Sequence, residues 1–221
     1  MSAPPSVAAC VAEVRDRIGA AAARAGRDPT SVTLVAATKT VDPVRVQEVV
    51  DAGVTDLGEN RAQELLAKTD VVAAATSLAA VRWHFLGRLQ RNKVRALAPW
   101  VVCWQSVDRP ELGDEIARRA PGARVLVEVN LGEEPQKGGC DPAAVPALVE
   151  HLDRLGLRAE GLMTVPPHDG DPRRWFAALR EQALTLGLSE LSMGMTEDFE
   201  LAVEEGATLV RVGRALFGPR T

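Results

Sequence analysis

Apolar and polar positions along this chain follow two periods. Val7, Val11, Val14 and Ile18 recur at helical spacing behind Ser6, which predicts an amphipathic helix capped by that serine. Beyond it, β-rich apolar runs alternate with amphipathic ones. "VTLVAATK", "VTDLGEN", "RWHFLG", "WVVCWQSV", "ARVLVEVN", "LRAEGLMTV", "SELSMGM" and "TLVRVG" read as strands. Between them, "DPVRVQEVVDAG", "RAQELLAK", "RPELGDEIARRA", "AAVPALVEHLDRLG", "PRRWFAALREQALTLG" and "DFELAVEEGA" read as helices, several closed by glycine as helix C-termini are. Strands joined by helices pair in parallel through right-handed crossovers. The pattern predicts an α/β fold, a (β/α)8 TIM barrel with an extra N-terminal helix. It forms one domain over residues 1–221, although an open doubly wound sheet gives much of the same pattern.

Composition agrees with a chain that buries a full core: 46% of the 221 residues are hydrophobic and 25% charged. A net charge of −4 gives no general attraction to nucleic acid or to an anionic membrane. Cys10, Cys103 and Cys140 are odd in number and contain no CxxC pair, so neither a disulfide framework nor a zinc site is indicated. Glu13, Arg15, Asp16 and Arg17 interrupt any secretory h-region. The apolar run from Val71 to Val81 is shorter than the roughly 20 residues of a membrane helix. A cytoplasmic location is expected.

Candidate chemistry begins with "SVTLVAATKT", where Lys39 ends an apolar strand. Of 26 basic residues only Lys39, Lys68, Lys93 and Lys137 are lysines. A desolvated lysine can lose its proton and attack a carbonyl, which arginine cannot. In a barrel, ligands gather where strands end, and alternation puts Thr33, Val35, Ala37 and Lys39 on one face. If that face points inward, the amine enters the barrel mouth. The other lysines suit this less. Lys68 ends a surface-like helical run, Lys93 belongs to the solvated helix face of "RLQRNKVRAL" with Arg88, Arg91 and Arg95, and Lys137 lies in the loop "EEPQKGG".

A second signal lies in "LSMGMTEDFE" and "LVRVGRALFG". Barrels commonly bind phosphate with the loops after strands 7 and 8. Ser192, Gly194, Met195 and Thr196 follow the seventh strand, and Gly213 and Arg214 the eighth. A lysine facing a phosphate cup fits pyridoxal 5'-phosphate (PLP) as a Schiff base, and equally a phosphorylated sugar in an aldolase. Arg211, two residues before Gly213, favours the former. A guanidinium beside the pyridine nitrogen disfavours its protonation and weakens the ring as an electron sink.

The segments "LVAATKTV", "GENRAQE", "WHFLGRLQRNK", "VEVNLGEEPQKGG", "GLMTV", "LSMGMTEDFELAVEEGAT" and "VRVGRALFG" together resemble the YggS/PROSC family of PLP homeostasis proteins. Their fold is similar to the N-terminal barrel of alanine racemase, the fold-type III PLP-binding class. The resemblance runs from about residue 6 to residue 218. It implies PLP bound as an aldimine on Lys39, with Ser192, Gly194, Met195, Gly213 and Arg214 around the phosphate, Arg211 at the pyridine nitrogen and Asn60 beside the ring. His84 stays outside that set as a core histidine. The familiar "SMGMS" reads "SMGMT" here, and "KSG" reads "KGG".

The resemblance further implies a carrier that buffers PLP or delivers it to apo PLP-dependent enzymes, with effects on amino-acid and keto-acid balance, rather than an enzyme with turnover. A monomer that binds neither nucleic acid nor membrane is expected. The competing reading is a PLP-dependent racemase or decarboxylase. An alanine-racemase mechanism needs a tyrosine base from a second domain; the chain contains no tyrosine, and no residues beyond Thr221 are expected to supply that domain. A pure protein-interaction module leaves the lysine, the arginine and the phosphate loops unexplained.

Overall fold

The computed structural model describes residues 5–75, 81–132, 134, 136–167 and 170–218. Eight parallel strands close into a barrel in chain order: β1 Thr33–Ala37, β2 Asp56–Glu59, β3 Arg82–Phe85, β4 Val101–Val107, β5 Arg124–Glu128, β6 Arg158–Met163, β7 Glu190–Ser192 and β8 Leu209–Val212. Around them run α1 Val7–Arg24, α2 Pro43–Asp51, α3 Ala62–Ala75, α4 Val94–Leu97, α5 Pro110–Arg119, α6 Val145–Arg154, α7 Arg173–Thr185, α8 Phe199–Glu204 and α9 Arg214–Phe217. The barrel and the N-terminal helix are as the pattern predicts; α4 is a four-residue helix inside the 88–97 segment read as a helix face, and α9 is a four-residue helix that the pattern did not signal. The strand-like runs overshoot the ladders mainly at their C-terminal ends, because the chain there turns outward into loops. Residues 76–80 of the Val71–Val81 run lie outside the described residues. Among the described residues no helix is long and apolar enough to cross a membrane.

Ser6 caps α1 by accepting the Ala9 N–H at 3.2 Å, an interaction worth about 1 kcal/mol. The buried stripe of α1 packs on α2, α8 and α9, and Arg17 reaches across to Glu200 in a two-pronged ion pair at 3.0 and 2.8 Å. This helix covers the seam where β8 returns to β1, with Val35 beside Arg211 in register.

Strand alternation divides the core. Leu34, Ala36, Leu57, Trp83, Phe85, Val125, Val210 and Val212 face the helices, whereas Val35, Cys103, Leu126, Met163 and Leu209 form a separate apolar layer inside the barrel. Below that layer Arg124 pairs with Glu160, and with Glu190 at 3.1 Å. Above it lie Glu128, Thr164, Ser192 and Arg211, all buried. Side chains fill the interior of a barrel of this kind, so ligands reach it at its ends.

Candidate functional site

Val35 is an interior residue, which places Thr33, Val35 and Ala37 on the inward face of β1 as alternation predicts. The ladder runs one residue past β1, since the Thr38 N–H donates to the Gly58 carbonyl at 2.9 Å. Lys39 then begins a turn at the C-terminal face and is half-buried. Its neighbours are held hard. Thr38 is fully buried and donates to Glu59 Oε1 at 2.6 Å. Thr40 has φ 63, a left-handed conformation that a β-branched residue adopts at a cost of order 1–3 kcal/mol. Its N–H donates to Glu64 Oε2 at 2.8 Å, and its hydroxyl to the Lys39 carbonyl at 2.6 Å.

Lys68 corrects the sequence reading. It is not on a surface face but 4% exposed, donating to Glu59 Oε1 at 2.5 Å and to the Thr38 carbonyl at 2.6 Å, with Glu64 at 3.8 Å. Glu59, the glutamate of "GEN", is fully buried. A buried carboxylate needs such a partner, so Lys68 and Glu59 together clamp the backbone that precedes Lys39. Lys137 is half-buried, pairs with Glu134 at 2.5 Å and donates to the Pro166 carbonyl at 3.1 Å.

A cavity of about 200 Å3 opens beside Lys39, bounded also by Ala37, Arg45, Gly213, Arg214 and Phe217. The structure thus brings Lys39, Gly213 and Arg214 together. At Gly213 a Cβ would stand 3.2 Å from the Ala37 carbonyl oxygen, so glycine keeps the wall clear. Arg214 pairs with Glu197 at 2.8 Å, and Thr196 Oγ1 accepts the Ala215 N–H at 3.4 Å, joining the loop after β7 to α9. Gly194 has a different duty. Its φ is +90, and a Cβ there would meet Ala202 Cβ at 2.5 Å, so it lets the loop lie against α8. Met195 caps the same turn through its N–H, 2.6 Å from Asp198 Oδ1.

Ser192 and Arg211 sit deeper, inside the barrel. Arg211 donates to Ser192 Oγ at 2.6 Å and to the Thr164 carbonyl at 2.7 Å. Burial pulls it down to about 10, against the attraction of Glu128 and Asp198, so it remains a cation at neutral pH. Asn60 stands apart from the small cavity. Its backbone touches the loop after β3, where a Cβ on Gly87 would come within 2.2 Å of the Asn60 carbonyl. It borders a second cavity, of about 540 Å3, with Arg61, Arg88, Lys93 and Arg109. The "RLQRNKVRAL" segment is therefore only partly a solvated face, since Arg88 and Lys93 line that cavity.

One feature escaped the sequence reading. Glu128 ends β5 buried at the mouth, where burial and the nearby Asp108 carboxylate push its pKa up to about 7, against Arg211 and Arg88. An acid inside the apolar run "VLVEV" was the available signal. His84 agrees with its reading as a core histidine: it is fully buried and hydrogen-bonded on both ring nitrogens, to Asp56 at 2.8 Å and to Gln105 at 2.7 Å.

Comparison with known proteins places this architecture. The alanine racemase N-terminal domain model matches residues 11–221. The pyridoxal phosphate homeostasis protein of Aquifex aeolicus is 42% identical over 224 residues, covering 95% of this chain and 96% of that protein. The crystal structure of an unknown protein from Bifidobacterium adolescentis superposes with a TM-score of 0.89 at 41% identity, covering 96% of this chain and 94% of the other. PipY of Synechococcus elongatus, solved with PLP bound, superposes with a TM-score of 0.83 at 34% identity, covering 96% of this chain and all of PipY. A barrel whose first strand delivers a half-buried lysine, and whose last delivers a buried arginine, thus has relatives along nearly its whole length: the chain belongs to the alanine racemase N-terminal domain family and, within it, to the pyridoxal phosphate homeostasis proteins.

Proposed function

We propose that this chain binds pyridoxal 5'-phosphate at the C-terminal mouth of its barrel, attached through Lys39, and holds it exchangeably so that it reaches other proteins. The observation that carries the reading is the Lys39 turn opening on a cavity walled by Gly213 and Arg214, with Arg211 buried nearby in the barrel. The residues fit the group chemically. PLP supplies an aldehyde that an amine can take and a ring that withdraws electrons. Lys39 provides the amine, Gly213 the close backbone approach, and Arg211 a fixed cation for the ring nitrogen. Arg211 keeps that nitrogen without its proton, which disfavours carbanion chemistry at a bound amino acid.

Several features support carriage over turnover. The chain has no tyrosine, so it lacks the second base of a racemase of the alanine type. The two cysteines with resolved shifts, Cys103 and Cys140, are pushed up to about 12, chiefly by burial, so neither offers a thiolate at neutral pH. PLP-dependent apoenzymes are the recipients such a carrier serves. The test is to load the protein stoichiometrically and incubate it with an apo-transaminase, and in parallel with L- and D-amino acids in deuterated buffer. Recovery of transaminase activity with negligible Cα exchange is expected. Sustained Lys39-dependent exchange or racemisation without transfer would establish an enzyme instead.

A further inference from the structure

The polar groups inside the barrel are not scattered. Starting from Arg211 on β8, Nη1 donates to Ser192 Oγ on β7 at 2.6 Å, and Ser192 Oγ donates to Gln105 Oε1 on β4 at 2.5 Å. Gln105 Nε2 lies 2.7 Å from His84 Nδ1 on β3, and His84 Nε2 lies 2.8 Å from Asp56 Oδ1 on β2. Ser192, Gln105 and His84 are fully buried, while Arg211 is 5% and Asp56 7% exposed. Five strands therefore contribute one side chain each to an unbroken line from the mouth side of the apolar layer to the far end. The far end is marked by Asp56, which borders a cavity with Arg15, Thr30 and Thr55 at the opposite face.

The line has a single direction. Arg211 has only donors, and an ionised Asp56 only acceptors. With the Ser192 oxygen accepting from Arg211, its hydrogen goes to Gln105 Oε1, which turns the Gln105 amide N–H toward His84. Nδ1 must then accept, and the ring proton sits on Nε2 facing Asp56. Reversing the Gln105 amide would put the proton on Nδ1 and leave Nε2 as an acceptor against a carboxylate. Escape from that conflict needs a protonated Asp56 or a charged His84. Neither is favoured. Burial acts to raise Asp56, but His84, Arg82 and Thr55 outweigh it and hold the carboxyl below its usual range. Burial pushes His84 down, aided by Arg124 and Arg82 and opposed by Asp56.

Resting on the PLP reading above, we infer that Gln105, His84 and Asp56 are positioning residues for Arg211, acting through Ser192 to hold its guanidinium in one orientation toward the pyridoxal ring. The other groups facing Arg211 are the Thr164 carbonyl, which accepts from Nη2 at 2.7 Å, and the charges of Glu128 and Asp198. Among the described residues, the side chain to which Nη1 donates is Ser192. A guanidinium held at both ends cannot swing away when the ring leaves, so the site stays formed for the next molecule. Ser192, which the resemblance puts at the phosphate, is in this account a link in the chain.

The test has two arms. In the first, ligand-free protein labelled with 15N-histidine is followed by NMR from pH 6 to 8, with His84→Phe assigning its resonance among the three histidines. A neutral ring protonated at Nε2 throughout is expected; a charged ring or the Nδ1 tautomer would overturn the chain. In the second, Gln105→Met removes both amide functions at similar volume. The visible band of the loaded protein should shift, and PLP release should quicken by a factor of about 3 to 10, the effect of losing a neutral hydrogen bond. In an Arg211→Met background the same substitution should add nothing. An unchanged band and release rate, or an equal effect in both backgrounds, would overturn the inference. Ser192→Ala, a smaller cut in the same chain, must shift the band in the same direction if Gln105→Met folds poorly. Absence of any visible band in the wild-type protein would overturn the PLP reading and Arg211's role with it, whatever the His84 tautomer.

Discussion

Replacing Glu128 by glutamine should remove a pH dependence from the stability of the ligand-free protein. Glu128 is 8% exposed at the end of β5, and its pKa stands at about 7 against an ordinary 4.5. Because the folded value is raised, the protonated carboxyl is the form that the fold tolerates. Stability from this group is complete below about pH 4.5, declines as the pH rises, and is lost once it passes about 7. The difference of about 2.5 pH units, at about 1.4 kcal/mol each, comes to about 3 kcal/mol. Glutamine keeps the shape and cannot ionise. Urea unfolding of both proteins, followed by tryptophan fluorescence from pH 4.5 to 8.5, should therefore show nearly equal stabilities at the acid end. The variant should gain by about 3 kcal/mol toward the alkaline end. Asp198, also raised, chiefly by burial, is present in both and cancels in the difference. A difference that stays constant across the range would refute the assignment of a buried, reluctantly ionised carboxyl.

Other outcomes follow from the clamps around the site. Lys68→Met should destabilise the fold by about 3–5 kcal/mol in denaturant, because Glu59 is left buried without its cation; adding Glu59→Leu should recover most of the loss, and no recovery would contradict the pairing. Gly213→Val narrows the wall beside Ala37, so equilibrium binding should weaken more for PLP than for pyridoxal, and equal losses would speak against a phosphate there. Gly194→Ala, by contrast, should lower thermal stability first, since its Cβ has no room against α8 and its φ is left-handed.

All eight strands were legible because each is a short apolar or alternating run between helical segments, and parallel barrels bury both faces of a strand. The lysine at the end of β1 and the arginine of β8 were legible for the same reason, as charged residues standing in apolar runs. Lys68 was not. Its helical context looks like surface, and the pairing of β1 with β2 under α3 is what brings the Thr38 carbonyl and Glu59 to it. The chain from Arg211 to Asp56 is the extreme case: its links join residues 19, 87, 21 and 28 positions apart, so no local pattern records them. Gln105 and His84 were visible singly as polar residues in strands, but their meaning lies in which neighbours the strand order supplies. The helix α9 was missed because four residues cannot display a helical period, and α4 is shorter than the helix face read over residues 88–97.

Attachment of PLP through Lys39 is tested by borohydride reduction of the loaded protein followed by peptide mass mapping. A pyridoxyl adduct is expected on the peptide containing Lys39, absent from Lys39→Ala, with Lys68, Lys93 and Lys137 unmodified. An adduct found mainly on Lys137, or one that survives in Lys39→Ala, would contradict it.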